Sequence, residues 1–200
     1  MDKIEWLTLL AKNNQAPTPN VPFSATEMPG TYVLYATDKS AIVRVPCSRE
    51  DCERLRCTEP YLTGFFDTMK DLYGGTVFKG KLDALLLKEL AGAAFWSGKV
   101  DNGHVRLDGA YFSKSVLARA LAGWEDPDAV LARTVPKKMS MTATDGSKLS
   151  ISDARRSEIH PLMLHGRHAL VIVAAAWFDD DEPESVVEFP PDAIVYNKKA

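Results

Sequence analysis

Cysteine is scarce in this chain, and Cys47, Cys52 and Cys57 stand five residues apart. An odd number at that spacing is neither a disulfide framework nor the paired-cysteine pattern of a zinc site, so reduced thiols are expected. No apolar run approaches the ~20 residues that span a bilayer. The opening Met1-Asp2-Lys3-Ile4-Glu5-Trp6 lacks the basic-then-apolar order of a secretory signal. Both absences point to a cytoplasmic protein. Neither sign of charge dominates: 24 Lys and Arg stand against 27 Asp and Glu, for a formal net charge of −3. The molecule as a whole is therefore no attractor of phosphate, and only a local basic face would be one. Missing too are a glycine-rich phosphate loop and a G-x-S-x-G nucleophile elbow. No local signature surrounds the cysteines that would make one a nucleophile. Nothing selects an enzyme, and no cofactor is called for.

What is present is a composition of 46% apolar and 26% charged residues over 200 positions, that of a folded globular protein. A chain of this length removes roughly 70% of its unfolded surface from water. Ile4, Leu7 and Leu10 form a helical stripe within Lys3 to Lys12. Pro17, Pro19, Pro22 and Pro29 then make 13–29 an irregular connector. Residues 1–29 are thus expected to be an appendage of helix and proline-rich connector, and 30–200 a single α+β domain.

Within that domain, Thr31-Tyr32-Val33-Leu34-Tyr35 and Ala41-Ile42-Val43-Arg44-Val45 flank a polar Thr37-Asp38-Lys39-Ser40 and predict a β-hairpin. Ser48 to Tyr73 allows helical turns broken at Pro60 and Gly64. Lys81 to Trp96 carries Leu82, Leu85, Leu86, Leu90 and Ala93 at helical spacing and predicts a helix. Asn102-Gly103, within Lys99 to Leu107, predicts a second hairpin turn. Ser113 is placed to cap a helix running to Trp124, with Val116, Leu117, Ala120, Leu121 and Trp124 on its buried stripe. Strands are expected at Ala129 to Val135, Lys138 to Thr144 and Lys148 to Ser152, the last two joined through Asp145-Gly146. Ala169 to Phe178 reads as a continuous apolar strand, followed by an acidic turn, Asp179 to Glu184, and a returning strand, Ser185 to Phe189. The expected core includes Leu86, Leu90, Leu117, Leu121, Val171 and Val173. The fold class is α+β: antiparallel hairpins with two amphipathic helices side by side on a sheet.

Two internal echoes suggest a duplicated helix-plus-sheet unit. Ala36-Thr37-Asp38-Lys39-Ser40-Ala41-Ile42 matches Ala143-Thr144-Asp145-Gly146-Ser147-Lys148-Leu149. Leu86 with Leu90-Ala91-Gly92 matches Leu117 with Leu121-Ala122-Gly123.

The segment Asp108-Gly109-Ala110-Tyr111-Phe112-Ser113-Lys114-Ser115-Val116-Leu117-Ala118-Arg119-Ala120-Leu121 resembles the strand-to-helix entry of a repeat in bacterial and phage DNA sliding clamps. The strand at Ala129 to Thr134, the run Met139 to Gly146 and the approach to His160-Pro161-Leu162-Met163 extend the resemblance. It covers Gly30 to Pro46 and Lys79 to Met163 discontinuously. It implies helices facing a central hole, sheets outside, and a protein of DNA replication that tethers others to DNA without reading sequence. A ring would also require a homo-oligomer. The chain departs from that pattern in length, in the proline-rich connector and in the C-terminal hairpin. Basic side chains near the two helices would then meet phosphate: Lys79, Lys81 and Lys88 around the first, Lys114 and Arg119 on the second. Asp83 and Glu89 share the first helix, a mixture that a solvated face also carries.

Other chemistry weighs less. His160, His165 and His168 offer three nitrogen ligands within nine residues, but the spacing fits no zinc signature, and a turn rich in His, Gly and Arg accounts for them. His104 is expected at a hairpin tip. The Asp179 to Glu184 cluster lacks the glycine and the alternation of a calcium loop. The leading expectation is a non-enzymatic, clamp-like binding protein contacting DNA or a replication protein. The alternative is a phage-type inhibitor or accessory module acting through protein contacts.

Overall fold

A computed structural model describes residues 1–11, 23–28, 31–38, 40–55, 75–92, 102–135, 140–142, 148–150, 161–176, 178, 183 and 185–196. Among these, four α-helices are α1 (Lys3–Ala11), α2 (Arg49–Arg54), α3 (Ala84–Gly92) and α4 (Lys114–Ala120). The strands are β1 (Phe23–Met28), β2 (Thr31–Thr37), β3 (Ala41–Cys47), β4 (Gly75–Asp83), β5 (His104–Leu107), β6 (Ala110–Ser113) and β7 (Asp128–Val135). They continue with β8 (Ser140–Thr142), β9 (Lys148–Ser150), β10 (Leu162–His165), β11 (Leu170–Val173), β12 (Val186–Glu188) and β13 (Ile194–Tyr196). The class is α+β.

Eight strands form one sheet in the order β1-β2-β3-β11-β10-β7-β4-β13, every neighbouring pair antiparallel. Side chains alternate across it, as the two-residue period of a strand requires. Leu34, Val43, Val171, Leu164, Leu131 and Leu82 lie on one face and are buried. Helices α1, α3 and α4 cover that face: α4 meets β3 and β11, α3 meets β7, α1 meets β2, and α3 and α4 touch each other. The expected side-by-side helices are therefore present. A second sheet, β12-β5-β6, contributes Val105, Leu107, Ala110 and Phe112 to the same core, and β8 pairs with β9 separately.

The β2–β3 hairpin is as expected, closed by Asp38, whose Oδ1 accepts hydrogen bonds from the backbone N–H groups of Ser40 (3.0 Å) and Ala41 (2.8 Å). This is the Asx geometry that makes aspartate a turn residue. The β8–β9 hairpin also forms, with Thr142 opposite Lys148; the echo residues 143–147 between them lie outside the described set.

Several expectations are corrected. The helix expected from Lys81 begins at Ala84, because the Asp83 carboxylate accepts the Leu86 N–H at 2.9 Å and caps it. Lys81 and Leu82 belong to β4, where alternation sends one out and the other in. The buried stripe of α3 is accordingly Ala84, Leu87 and Ala91, with Leu86 and Leu90 only half-buried at its border. Leu117, Leu121, Val171 and Val173 are buried as expected. The hairpin turn falls at Asp108-Gly109, not Asn102-Gly103: the φ angles of +50° and +78° suit a two-residue turn of the type that needs glycine, and Leu107 pairs with Ala110 across it. Ser113 precedes α4, but its hydroxyl meets Ser115 Oγ at 3.1 Å and caps no backbone N–H.

The apolar strand stops at Val173 rather than Phe178, and β12 does not return beside it but pairs in parallel with β5. Six proline-free residues between Pro22 and Pro29 form β1, an edge strand, where proline-flanked segments are tolerated. Nor is α1 an appendage: Trp6, Leu7 and Leu10 are buried in the main core. Its start is fixed by a reciprocal cap, the Asp2 carboxylate accepting the Glu5 N–H and the Glu5 carboxylate the Asp2 N–H. Of the turns expected over Ser48 to Tyr73, α2 is present and 56–73 lie outside the described residues.

Helix α2 opens on a capping box. Ser48 Oγ accepts the Asp51 N–H (3.1 Å), and the Asp51 carboxylate accepts from the Ser48 N–H (3.1 Å) and hydroxyl (2.9 Å). The Ser48 N–H first, and its hydroxyl second, hold the Asp51 carboxyl below its ordinary pKa. A carboxyl lowered in the fold stabilises it above the unfolded pKa, and that contribution is lost as pH falls through the lowered one. Acid should therefore loosen the first turn of α2, seen as a lower protection factor of the Ser48 amide relative to its intrinsic exchange rate at the same pH, and Asp51→Asn should remove this dependence. For the core, Leu87→Ala and Leu117→Ala should each cost about 2 to 5 kcal/mol in urea unfolding, and Leu86→Ala clearly less. Equal losses at positions 86 and 87 would contradict the register of α3.

Candidate interaction surface

The described basic residues among those expected to meet phosphate fall on different parts of the molecule. Lys79 and Lys81 are on β4 rather than on a helix. The Lys79 side chain lies outside the described residues, while Lys81 is on the sheet face opposite the helices, 3.7 Å from the Asp128 carboxylate. That pair is exposed on both sides and adds little stability.

On α3, Lys88 donates from Nζ to the Trp124 carbonyl at 2.9 Å, fastening the helix to the chain beyond α4. Burial pushes its ammonium below the usual lysine range, with Glu125 opposing the shift. Lys114 is the first residue of α4, half-buried, and its backbone N–H reaches the Gly103 carbonyl at 3.0 Å. Arg119 is turned inward: its Nε and Nη2 donate to Asp38 Oδ2 at 3.2 and 3.0 Å, and the two side chains are only 14% and 1% exposed. The helices therefore spend two of their cations on internal contacts, and the four candidates with described side chains share no common face.

His165 and His168 are exposed at the turn between β10 and β11, and His160 lies outside the described residues. No group of three potential metal-ligating side chains occurs among the described residues. His104 is on β5 rather than at a hairpin tip, edge-on to Phe178 with ring centroids 4.9 Å apart. Most of the acidic segment Asp179 to Glu184 also lies outside the described residues.

What the fold does assemble is a row that no linear motif announces. His165 of β10, Val130 of β7, Lys81 of β4 and Val195 of β13 are directly opposite one another on four adjacent strands. Opposed residues in neighbouring strands project to the same side, so all four face away from the helices. Each is exposed, Val130 by 44% and Val195 by 59%. Asp128 joins them diagonally through Lys81.

Beside this row, Asp126, Asp128, Val130, Lys81, His165 and Arg167 line an open depression of about 610 Å³. Asp126 in its lining accepts the Arg167 N–H through Oδ2 at 2.9 Å, and its carbonyl accepts the indole N–H of the buried Trp124 at 2.9 Å. The lining combines the carboxylates of Asp126 and Asp128, the cations Lys81 and Arg167 and the aliphatic Ala129 and Val130, the make-up of a mixed polar and apolar contact. On the other half of the same face, Tyr35, Ile42, Leu170 and Ile172 are buried although they stand outside the main core. Arg44, opposite Leu170, is exposed on that half, whereas the exposed aliphatic side chains described on this face, Val130 and Val195, lie at the β10-β7-β4-β13 end.

One further arrangement escaped the sequence reading: the Cys47 and Cys52 sulfurs are 3.3 Å apart. The signal was present in the Ser48–Asp51 spacing between them, which prescribes a capped helix start. No protein-family model matches the chain, and no curated protein matches it.

Because Arg119 and Asp38 are desolvated together, Arg119→Met should cost about 3 to 5 kcal/mol by leaving a buried carboxylate unpaired. Asp38→Asn combined with Arg119→Met should recover part of that loss, as read from urea unfolding. A loss at Arg119 within error of zero would return that side chain to the list of surface cations.

Proposed function

We propose that this chain is a non-enzymatic binding protein that acts through protein contacts at the open end of its eight-stranded sheet. The observation that carries the reading is the register-aligned row His165, Val130, Lys81 and Val195, which exposes two aliphatic side chains, one on each side of Lys81. An antiparallel sheet with helices on one side ordinarily turns polar residues to water on the other, and valines exposed within such a face are what a partner would cover. The rim carries both signs of charge, which favours a partner with polar groups of both signs over a polyanion.

A second reading keeps the sliding-clamp-like association with DNA. It draws on α3 and α4 lying against each other on one face of an antiparallel sheet, the layout that the resemblance implies. Its weakness is electrostatic: of the four described candidate cations, Arg119 and Lys88 are engaged internally, which leaves Lys81 and Lys114 to neutralise phosphate.

The two readings separate in one set of measurements. The double variant Val130→Glu, Val195→Glu should keep cooperative unfolding and lose the protein partner that the native chain retains, whereas Lys114→Glu should retain it. Labelled duplex DNA titrated at moderate salt should show no binding by the native chain. Duplex binding at low salt that is abolished by Lys81→Glu and Lys114→Glu, but unaffected by the double valine variant, would replace the first reading with the second. Light scattering would then show whether a closed oligomer forms.

A further inference from the structure

We propose that Cys47 and Cys52 are a redox-active dithiol that closes to an intramolecular disulfide across the start of α2. Cys47 is the last residue of β3, held in place by its pairing with Tyr32, and Ser48 is the helix cap. Cys47 precedes that cap by one position, and Cys52 is the fourth residue of the helix. In a capped helix start these two positions are brought together by the chain geometry, and apolar side chains there form a staple around the capping box. Here the staple consists of two thiols. The capping box between them is complete, and the Cys52 N–H reaches the Ser48 carbonyl at 3.3 Å, so the backbone already holds the approach.

The sulfurs, 3.3 Å apart, have to close by only about 1.2 Å to reach the length of a disulfide. Both residues are half-buried rather than sealed in the core, which leaves access for a small oxidant. The co-reactant is a low-molecular-weight disulfide. The thiolate of one cysteine attacks one of its sulfurs, forming a mixed disulfide and expelling the first thiolate. The second cysteine, as thiolate, attacks the protein sulfur of that mixed disulfide, forms the Cys47–Cys52 bond and expels the other thiolate. Two protein thiols are oxidised, one disulfide is reduced to two thiols, and the two protons released by the cysteines end on those products. The product replaces a contact between side chains with a bond that ties the end of β3 to the first turn of α2.

The test uses the native chain. It is equilibrated with oxidised glutathione, alkylated, digested with trypsin and mapped by mass spectrometry. Cleavage after Arg44, Arg49 and Arg54 places the two cysteines in separate peptides, Val45 to Arg49 and Glu50 to Arg54, and cleavage after Arg56 and Lys70 places Cys57 in a third. The expected result is a disulfide joining the first two peptides, in about tenfold or greater excess over glutathione adducts on either, because the second attack is intramolecular. Dithiothreitol should separate them. The same map from Cys57→Ser should be unchanged, and Cys52→Ser should instead hold glutathione on Cys47. Free thiols or glutathione adducts on both peptides of the native chain, or a bond from either to the Cys57 peptide, would overturn the proposal.

Discussion

The buried pair between Asp38 and Arg119 is the constraint on which the arrangement of helices over the sheet depends. An isolated carboxylate inside the fold would be costly, and each lone pair in use lowers that cost. Asp38 Oδ1 accepts the two backbone N–H groups of its own turn, and Oδ2 accepts both arms of the guanidinium. The same aspartate thus shapes the β2–β3 hairpin and fixes α4 against it. Arg119 passes the constraint on through its backbone: its carbonyl accepts the Trp6 indole N–H at 3.1 Å, which sets α1. The Trp6 ring in turn lies where a side chain at position 123 would be, since a Cβ on Gly123 would come within 2.5 Å of it. Three segments distant in sequence are locked by one charged contact, one indole N–H and one missing side chain.

That lock lies on the helix side of the sheet, and it explains why the helices are poor candidates for a charged interface. A guanidinium that donates from Nε and Nη2 to one oxygen of a buried carboxylate is withdrawn from solution chemistry, and a lysine ammonium hydrogen-bonded to the Trp124 carbonyl is largely committed as well. The binding surface has to be sought where side chains are not recruited for packing. The strand alternation that buries Leu82, Leu131 and Leu164 necessarily presents Lys81, Val130 and His165 on the other side. One pleat therefore accounts for both the core and the proposed surface.

Legibility in the sequence followed the range of the interactions. Features set by neighbours in the chain were readable: the Asp38 turn, the apolar stripe of α4 through Leu117 and Leu121, and the strand at 128–135. Where two local patterns coincided, the wrong one was read. Leu82 fits a helical stripe with Leu85 and Leu86, yet Asp83 caps the helix after it, and Leu82 is a strand residue facing the core. Asn102-Gly103 and Asp108-Gly109 carry the same turn chemistry, and only the pairing of Leu107 with Ala110 decides between them. The parallel pairing of β12 with β5 joins residues about 80 positions apart and leaves no periodic trace at all.

The candidate site was less legible than the fold for the same reason. A cation in a sequence carries no mark of whether it will face water or a buried carboxylate; Arg119 and Lys114 share α4, and only the distant Asp38 tells them apart. The row of His165, Val130, Lys81 and Val195 is drawn from four strands whose order, β10-β7-β4-β13, matches no order in the chain. By contrast, the approach of Cys47 to Cys52 is encoded entirely within six residues, in the cap that Ser48 and Asp51 form. Local capping chemistry specifies that contact, whereas the surface residues acquire their arrangement only when the whole sheet is in register.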